Sequence, residues 1–332
     1  MKNPIKKHKT VPIFVSHMGC PNDCAFCNQR TITGQKDTVT PQMADAMIRE
    51  ALETMPEGAS VEIGFFGGSF TGIDIELQKA LLSVASGYVI RGAAQAIRLS
   101  TRPDYIDETI VSMLKNYGVT TVELGAQSMD NGVLRENLRG HTAEDTVRAS
   151  EIIQSAGLSL GLQMMTGLRG DTAEKARRTA EKIISLSPDC VRIYPTLVLK
   201  GTHLDAWYQK GIYAPQTLEN AVLLCADVKE MFDRADIPVI RMGLMASDNI
   251  RPEADVVAGP YHPAFGELVL SEMYFRAIKE NISGDAKVLV HPKSISAFIG
   301  NKRRNTERFR ELGYLVQFVP SESVMPGAFQ IM

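Results

Sequence analysis

Cysteine is scarce in this chain of 332 residues: only five are present, and three of them fall between positions 20 and 27. An odd number with this clustering argues against a disulfide framework and favours a reducing compartment, so we expect a cytoplasmic protein. The sequence also lacks an apolar run long enough to cross a membrane. The basic segment 1–9 precedes no apolar core and therefore does not have the pattern of a signal peptide.

Charge of either sign is not in excess, because the net charge at neutral pH is only −2. The chain as a whole therefore lacks the basic surplus of many nucleic-acid binders, although a local basic patch is compatible with this composition. Apolar residues make up 44%, the share expected of a globular protein with a proper core. The length allows one large domain and one small domain.

The three clustered cysteines, Cys20, Cys24 and Cys27, have the spacing C-x3-C-x2-C directly after the first predicted strand. Three thiolates this close in sequence can converge on one soft metal centre. A structural zinc site would need a fourth ligand, such as His17 or a remote cysteine. A [4Fe–4S] cluster held by three thiolates would keep its fourth iron open to a non-protein ligand. The spacing favours the cluster, with zinc or a Cys20–Cys24 disulfide as alternatives.

Short β-branched runs alternate with amphipathic segments from Val11 to Tyr194, which predicts six strand–helix units in series. Units of about 30 residues with right-handed crossovers form parallel sheets that curl toward a barrel. We therefore predict an α/β fold with a partial (β/α)6 barrel of the TIM type. A doubly wound open sheet is the competing architecture, but the phosphate-binding G-x-G-x-x-G after the first strand is missing.

Polar and glycine residues fall at or near the carboxyl ends of the predicted strands, where barrels of this type place their chemistry. This position makes them candidates for a site beside the cysteines. They are Gly67, Gly68, Ser69, Ser100, Arg102, Glu123, Gln127, Gln163, Arg192 and Tyr194.

A loop-rich stretch containing several prolines, residues 246–262, marks the predicted boundary between domains 1–245 and 246–332. The second domain is predicted to be a small α/β unit of unknown role. Its predicted elements are helix Phe265–Glu280, strand Lys287–Val290, helix Ile295–Leu312 and strand Leu315–Val319.

Three further features of the sequence have both an ordinary and a functional interpretation. His262 and His291 stand beside prolines, which indicates rigid loops or, alternatively, substrate or metal contacts. The basic run 301–305 is either a solvated helix face or a patch for RNA phosphates. Cys190 and Cys225 are predicted to be core residues or to lie on a helix face.

The cysteine motif, with Phe26 before its last cysteine, resembles the signature of the radical S-adenosylmethionine (SAM) enzymes. The turn Gly67-Gly68-Ser69 after the second strand strengthens this resemblance. Segments 101–104, 122–128 and 138–142 are similar to the Elongator catalytic-subunit type, and the last of them also to the oxygen-independent coproporphyrinogen oxidase type. The resemblance covers roughly Val11 to Leu244.

The resemblance implies a [4Fe–4S] cluster on Cys20, Cys24 and Cys27, whose open iron is chelated by SAM. Electron transfer into SAM would then release a 5′-deoxyadenosyl radical that removes hydrogen from a substrate. The implied contacts to SAM are Phe26 with the adenine, the turn Gly67-Gly68-Ser69 with the ammonium, Arg139 with the carboxylate, Gln127 and Gln163 with the ribose, and, less specifically, Ser100 and Arg102.

The tail departs from the Elongator type, because it is too short for that group's acetyltransferase domain. The resemblance implies an external one-electron donor of the flavodoxin or ferredoxin type and no membrane partner. Its substrate is unidentified, with a tRNA base and a small metabolite as the two classes to consider. The alternative function is a non-catalytic zinc or iron–sulfur protein in which the cysteines only hold a loop.

Overall fold

The computed structural model describes residues 8–15, 24–27, 39–56, 58–244 and 254–332. Cys24 and Cys27 lie within these ranges, whereas Cys20 and His17 lie outside the described residues.

Strands and helices alternate from the start of the described chain to residue 195, as the sequence pattern predicts. Polar side chains cap the helices: Thr40 accepts from the amide of Met43 at 3.2 Å, and Thr142 forms a reciprocal capping box with Asp145. The elements are β1 (His8–Phe14), α1 (Pro41–Glu53), β2 (Ser60–Phe66), α2 (Ile75–Ile90), β3 (Ala96–Thr101), α3 (Glu108–Asn116), β4 (Val119–Gln127), α4 (Asn131–Glu136), α5 (Ala143–Ser155), β5 (Ser159–Thr166), α6 (Ala173–Ser185) and β6 (Cys190–Pro195).

The remaining elements form the rim of the barrel and the carboxyl-terminal part of the chain. They are β7 (Val198–Leu199), α7 (His203–Gln209), α8 (Leu218–Arg234), β8 (Val239–Met242), β9 (Val256–Ala258), α9 (Phe265–Asn281), β10 (Ala286–Val290), α10 (Ile295–Ile299), α11 (Arg304–Glu311), β11 (Val316–Pro320) and β12 (Phe329–Ile331).

Strands β1 to β6 pair in parallel and in sequence order, and β8 extends the sheet beyond β6. Within the described residues this gives a seven-stranded sheet, one strand more than predicted, because Val239–Met242 joins it. The main core contains buried side chains from these strands and from the helices that cover them, among them Ile13, Phe65 and Phe232. The predicted partial TIM-type barrel is therefore confirmed.

The carboxyl-terminal part contains a second sheet, ordered β11-β10-β12, over a separate apolar cluster. Helix α9 contributes to both cores: Phe265 and Val269 pack in the first, and Phe275 and Ile278 pack in the second. The division into residues 1–245 and 246–332 stays a prediction.

Ion pairs continue from the outer helices of the barrel to α11. Asp227 on α8 accepts from Arg276 on α9 at 2.7 Å, and Glu272 on α9 accepts from Arg276 at 2.9 Å and from Arg308 on α11 at 2.5 Å. Beside them, the buried Asn305 donates to the carbonyl oxygens of Ser271 and Phe298. Helix α11 therefore has a fixed position on α9.

The prediction of one continuous helix from Ile295 to Leu312 is wrong, because in the structure the first helix ends at Ile299. Gly300, Lys302 and Arg303 have φ values of 79°, 51° and 62°, so the chain leaves the right-handed helical region there. For the two residues that carry a Cβ, this conformation costs about 1–2 kcal/mol each. The predicted basic run therefore lies at a break between α10 and α11.

None of the helices in the described part of the chain has the length and apolar character needed to cross a membrane.

Candidate functional site

The carboxyl ends of the parallel strands meet at one edge of the sheet, and the cysteine segment, residues 24–27, lies against this edge. Cys24 is 3% exposed, and the amide of Cys27 donates to its carbonyl oxygen at 2.9 Å, which closes a tight turn. The amide of Ala25 donates to the carbonyl of Asn137 at 3.0 Å, and its carbonyl accepts from the amide of Leu204 at 2.7 Å. Two remote segments therefore fix the cysteine segment.

Asn137, directly after α4, is the residue that joins the cysteine segment to the loop after β5. Its side-chain amide donates to the carbonyls of Val133 and Arg169, both at 2.8 Å, and its side-chain oxygen accepts from the amide of Arg169 at 3.2 Å. The side chain is fully buried. Sequence analysis missed this role, since an asparagine after a short helix carries no sign of which loops it will contact.

Two guanidinium groups lie against the sulfur of Cys24. Arg139 donates from one terminal nitrogen to this sulfur at 3.3 Å and from the other to the carbonyl of Gly125 at 2.6 Å. Arg102 lies 3.9 Å from the same sulfur and forms two hydrogen bonds with Asp104, at 2.9 and 2.8 Å. Cysteine binds metals as the thiolate, and positive charge beside the sulfur favours that form. The surroundings of Cys24 therefore suit a metal ligand.

The turn after β2 is locked to the end of β3 by buried hydroxyl groups. The Oγ1 atom of Thr101 lies 2.8 Å from the hydroxyl of Ser69 and 2.6 Å from that of Thr71. The amide of Arg102 also donates to the Ser69 hydroxyl at 3.2 Å. Gly67 has a φ of 97°, which side-chain-bearing residues rarely adopt, so the turn requires glycine at this position.

Gln127 ends β4 in a conformation that is uncommon for a residue with a side chain, with a φ of 63°. The β4–β5 pairing shifts register between Leu124 and Gln127, so the backbone bulges there. The side-chain oxygen of Gln127 is buried and has no hydrogen-bond partner among the described residues. A buried amide oxygen of this kind is suited to accept a hydrogen bond from a bound ligand.

His141, two residues after Arg139, is a second buried polar group that sequence analysis did not assign to the site. The residue is 4% exposed, and neither ring nitrogen makes a well-formed hydrogen bond within the described residues. Burial, together with the positive charges of Arg139 and Arg102, lowers its pKa to about 3, against weaker effects of Asp104 and the Ala126 main chain. The imidazole is therefore neutral at physiological pH.

Below this edge, the barrel interior contains an ion cluster around Glu123 on β4. Arg192 donates to both oxygens of its carboxylate, at 2.6 and 2.7 Å, and Arg98 donates to one of them at 2.7 Å. Gln163 donates to Glu123 at 2.9 Å, and Arg98 also pairs with Glu62 at 2.9 Å. The predicted polar residues of β4, β5 and β6 therefore meet in one network.

Glu123 is ionised despite its burial. Burial alone would raise the pKa of this carboxyl, but the hydrogen bonds and charges of Arg192 and Arg98 outweigh it and lower the pKa. Gly161 on β5 makes room for the side chain, since a Cβ there would lie 2.7 Å from Cγ of Glu123 and 3.2 Å from the sulfur of Cys190. The cluster is thus a tightly packed part of the barrel interior.

The remaining predicted site residues lie at the barrel rim or in the barrel interior. Phe26 packs, partly buried, against the small apolar cluster of Val198, Leu204 and Tyr213 at the barrel rim. Ser100 is half-buried on β3, opposite Glu123 in the strand register. Gln163 has one amide nitrogen on Glu123, whereas Arg139 retains a buried Nε without a partner in the described chain. The structure therefore brings Arg102 and Arg139 to the cysteine segment, places Gln127 and Arg139 beside Gly125, and gives Gln163 a partner deeper in the barrel.

The two proline-flanked histidines have local structural roles. The Nδ1 atom of His262 accepts from the amide of Ala264 at 3.1 Å, and that of His291 accepts from the amide of Lys293 at 3.0 Å. Across the described ranges, no three His, Cys, Asp or Glu side chains are grouped as a metal site. Cys190 and Cys225 are buried, as predicted.

Comparison with known families assigns most of the chain. The sequence model of the radical SAM superfamily matches residues 15–183, and that of the radical SAM C-terminal domain matches residues 188–274.

Curated relatives share this part of the chain. A tRNA uridine(34) acetyltransferase of Methanocaldococcus jannaschii is 30% identical over 239 residues, which cover 66% of this chain and 43% of that protein. The protein of the same name from Dehalococcoides mccartyi is 25% identical over 285 residues, which cover 73% of this chain and 62% of the relative. The chain thus spans about half the length of the curated relatives it matches.

Solved structures have the same fold. The structure of Elp3 from Methanocaldococcus infernus superposes with a TM-score of 0.65 at 24% identity, covering 82% of this chain and 64% of that one. Coproporphyrinogen III oxidase (HemN) from Escherichia coli superposes with a TM-score of 0.50 at 16% identity, covering 69% and 53%. At these identities the likeness establishes the fold.

Proposed function

This chain belongs to the radical SAM superfamily, and from that membership we propose that its cysteine segment and Cys20 hold a [4Fe–4S] cluster beside which SAM binds. The observation that carries the proposal is the pair of guanidinium groups, Arg139 and Arg102, that converge on the buried sulfur of Cys24. When bound, the cluster supplies the electron for reductive cleavage of SAM, which starts hydrogen abstraction from the substrate.

The residues around the cysteine segment fit a polar cofactor. The Nε of Arg139 and the side-chain oxygen of Gln127 are buried and have no partner within the described residues, and neither ring nitrogen of the buried His141 makes a well-formed hydrogen bond there. A buried polar atom left unpaired costs about 1–3 kcal/mol, so three such side chains at one edge of the sheet favour a bound polar group. SAM has an ammonium, a carboxylate and ribose hydroxyl groups that can pair with them.

We assign each side chain one task. Arg139 orients Cys24 and keeps its free N–H for the SAM carboxylate, because a guanidinium presents several donors in a fixed plane. Gln127 accepts from the ribose, and the turn Gly67-Gly68-Ser69 presents its main-chain carbonyls to the ammonium. Phe26 covers the adenine. Gln163, Ser100 and Arg102 form the second layer, since Gln163 and Arg102 already have carboxylate partners.

The substrate we propose is a tRNA base. The support is that the curated relatives from Methanocaldococcus jannaschii and Dehalococcoides mccartyi are both named tRNA uridine(34) acetyltransferases. An external flavodoxin or ferredoxin is the proposed electron donor, because reductive cleavage of SAM consumes one electron. A cytoplasmic location, expected from the cysteine pattern, stays a prediction.

Cleavage of SAM is the test. Anaerobically reconstituted protein with dithionite and SAM is expected to release 5′-deoxyadenosine, and addition of tRNA is expected to increase the rate. A protein that binds one zinc ion tightly, takes up no iron and releases no 5′-deoxyadenosine would contradict the proposal. Release of 5′-deoxyadenosine with no effect of tRNA would retain the radical chemistry and contradict the RNA substrate.

A further inference from the structure

A cleft of about 700 Å³ lies in the carboxyl-terminal part, between α11 and the edge strand β11. Arg303, Thr306 and Arg310 line it from the helix side, and Gln317 and Phe318 line it from the strand side. Thr306 and Arg310 share one face of α11, because they lie four residues apart, and Arg303 directly precedes the helix. Lys287 on β10 adds a third basic side chain to the lining.

Three basic side chains and one acidic side chain line this cleft. Among the described side chains, no carboxylate lies within ion-pair distance of Lys287 or Arg303. Arg310 pairs with Glu307 at 2.8 Å, but both side chains are more than half exposed, so this pair is weak. The acidic residue of the lining, Asp285, accepts a hydrogen bond from the amide of Leu315 at 2.7 Å.

The neighbouring arginines of α11 differ from those of the cleft. Arg304 pairs with Glu219, and Arg308 donates to the buried Glu272. These two arginines attach the helix to the rest of the protein, whereas Arg303 is directed to the cleft. Arg304 and Arg308 therefore have a structural role, whereas Arg303 is available to a ligand.

The break after α10 gives Arg303 this position. An unbroken helix from 295 to 312 would have made residue 303 an internal helical residue. Instead, Arg303 is the residue before α11, its side chain makes no capping hydrogen bond, and it is exposed. Helix α11 itself does not shift freely, because Asn305 holds it to α9 and α10 through three hydrogen bonds. The cleft is therefore preformed.

The lining combines the groups that recognise a nucleotide. Lysine and arginine bind phosphate, and the hydroxyl of Thr306 and the amide of Gln317 can form hydrogen bonds with sugar hydroxyl groups or base edges. The volume lies in the range of about 300–1,000 Å³ that is usual for small-ligand sites.

We propose that this cleft binds RNA through phosphate groups held by Lys287, Arg303 and Arg310. The proposal rests on the proposed tRNA substrate and names a surface, outside the barrel, that holds it. Contacts with phosphate groups are electrostatic, so the affinity for RNA falls as the salt concentration rises. Each phosphate contact adds about 0.7–0.9 to the steepness of log affinity against log salt concentration. A free mononucleotide carries the same chemical groups as one nucleotide of RNA, but its phosphates can reach fewer of the three basic side chains.

The experiment measures binding of fluorescently labelled tRNA to the full chain by anisotropy over a range of salt. The double variant Lys287→Glu/Arg303→Glu is compared with Lys293→Glu, an exposed lysine of the same part of the chain that does not line the cleft. The double variant is expected to bind at least about tenfold more weakly with a salt slope smaller by about two. The control is expected to bind like the parent.

Equal affinity and salt slope for the parent and the double variant would overturn the proposal. A second pair, Lys287→Gln/Arg303→Gln, removes the charge without reversing it and is expected to lose affinity in the same direction. Adenosine monophosphate serves as the competitor: displacement of tRNA only at a large molar excess supports an RNA site. Tight binding of the mononucleotide with no binding of tRNA would overturn it.

These results are separate from those for radical chemistry. Loss of tRNA binding in the double variant, with no SAM cleavage by the parent protein, would leave the cleft assigned and contradict the proposed enzyme. SAM cleavage by the parent, with unchanged tRNA binding in the double variant, would support the enzyme and contradict the cleft.

Discussion

Arg139 joins Cys24 to the end of β4: one of its terminal nitrogens lies 3.3 Å from the sulfur, and the other lies 2.6 Å from the carbonyl oxygen of Gly125. The position of the sulfur is thereby set by the sheet and not only by the loop that carries it. Since groups that contact metal ligands typically change metal affinity 10–100-fold, this contact is expected to matter for the cluster as well as for SAM.

Replacement of Arg139 by lysine tests this contact. A single ammonium on a flexible stem does not reproduce the two simultaneous contacts, so we expect reconstituted protein to lose iron to a chelator about tenfold faster. Loss of the visible absorbance over time measures this rate. Arg135→Lys, an exposed position four residues earlier, is the matched control. Equal rates for the two variants would show that Arg139 does not hold the ligand.

Asn137→Ala tests whether one side chain joins the segments around the site. It removes two donated and one accepted hydrogen bond inside the protein and leaves their partners unpaired, so we expect the free energy of unfolding to fall by about 2–4 kcal/mol. Denaturant unfolding of the metal-free protein measures it. Asn281→Ala, which removes one exposed hydrogen bond, is expected to cost less than about 0.5 kcal/mol. Similar losses for the two variants would contradict this role.

Gly161→Ala tests the packing of the ion cluster. The added methyl group would meet Cγ of Glu123 at 2.7 Å, and this carboxylate has no room to move without breaking its bonds to Arg98 and Arg192. We expect a loss of about 1–3 kcal/mol in the free energy of unfolding. Gly284→Ala, with no atom within 4 Å of the added carbon, is expected to be neutral or slightly stabilising. A neutral Gly161→Ala would show that Glu123 is more loosely held than the structure indicates.

Glu272→Gln tests the attachment of α11 and predicts a dependence on pH. Burial raises the pKa of Glu272, but hydrogen bonds from Arg308 and Arg276 outweigh it and bring the pKa below the ordinary value of 4.5. The carboxylate therefore stabilises the folded state above that value, and this contribution is lost as the pH falls through the lowered pKa.

At pH 7 we expect Glu272→Gln to be less stable than the parent by about 1.5–3 kcal/mol, with a difference that shrinks as the pH falls below about 4.5. Chemical unfolding at a series of pH values measures it. Glu174→Gln, in the exposed pair with Arg178, is expected to change stability by less than about 0.5 kcal/mol at any pH. A difference for Glu272→Gln that is constant with pH would contradict the ionic origin.

The parts of this fold that were predictable from sequence are those fixed by local or periodic signals. Alternating β-branched and amphipathic runs predicted the parallel sheet. The cysteine spacing predicts a metal site because three ligands on one short segment need no long-range folding to meet, and this site stays a prediction. By contrast, the sequence did not predict that Val239–Met242 joins the main sheet beside β6, since four residues carry no information about their neighbour.

The rest of the site depends on contacts between distant residues. Arg139 lies 115 positions from Cys24, and the sequence does not state that its guanidinium contacts the sulfur. His141 and Asn137 are polar residues next to a glycine and a short helix, and only the fold makes them buried. The sequence did not predict the left-handed backbone at Lys302 and Arg303, because lysine and arginine rarely adopt this conformation.

The iron content of two matched cysteine variants tests the central claim most directly. Anaerobically reconstituted parent protein and Cys190→Ala, a buried cysteine in the barrel interior, are both expected to be brown and to contain about four irons per chain. Cys24→Ala is expected to be colourless, to retain little iron and to release no 5′-deoxyadenosine from SAM. Iron content and SAM cleavage in Cys24→Ala equal to those of Cys190→Ala would contradict the assignment of Cys24 as a cluster ligand.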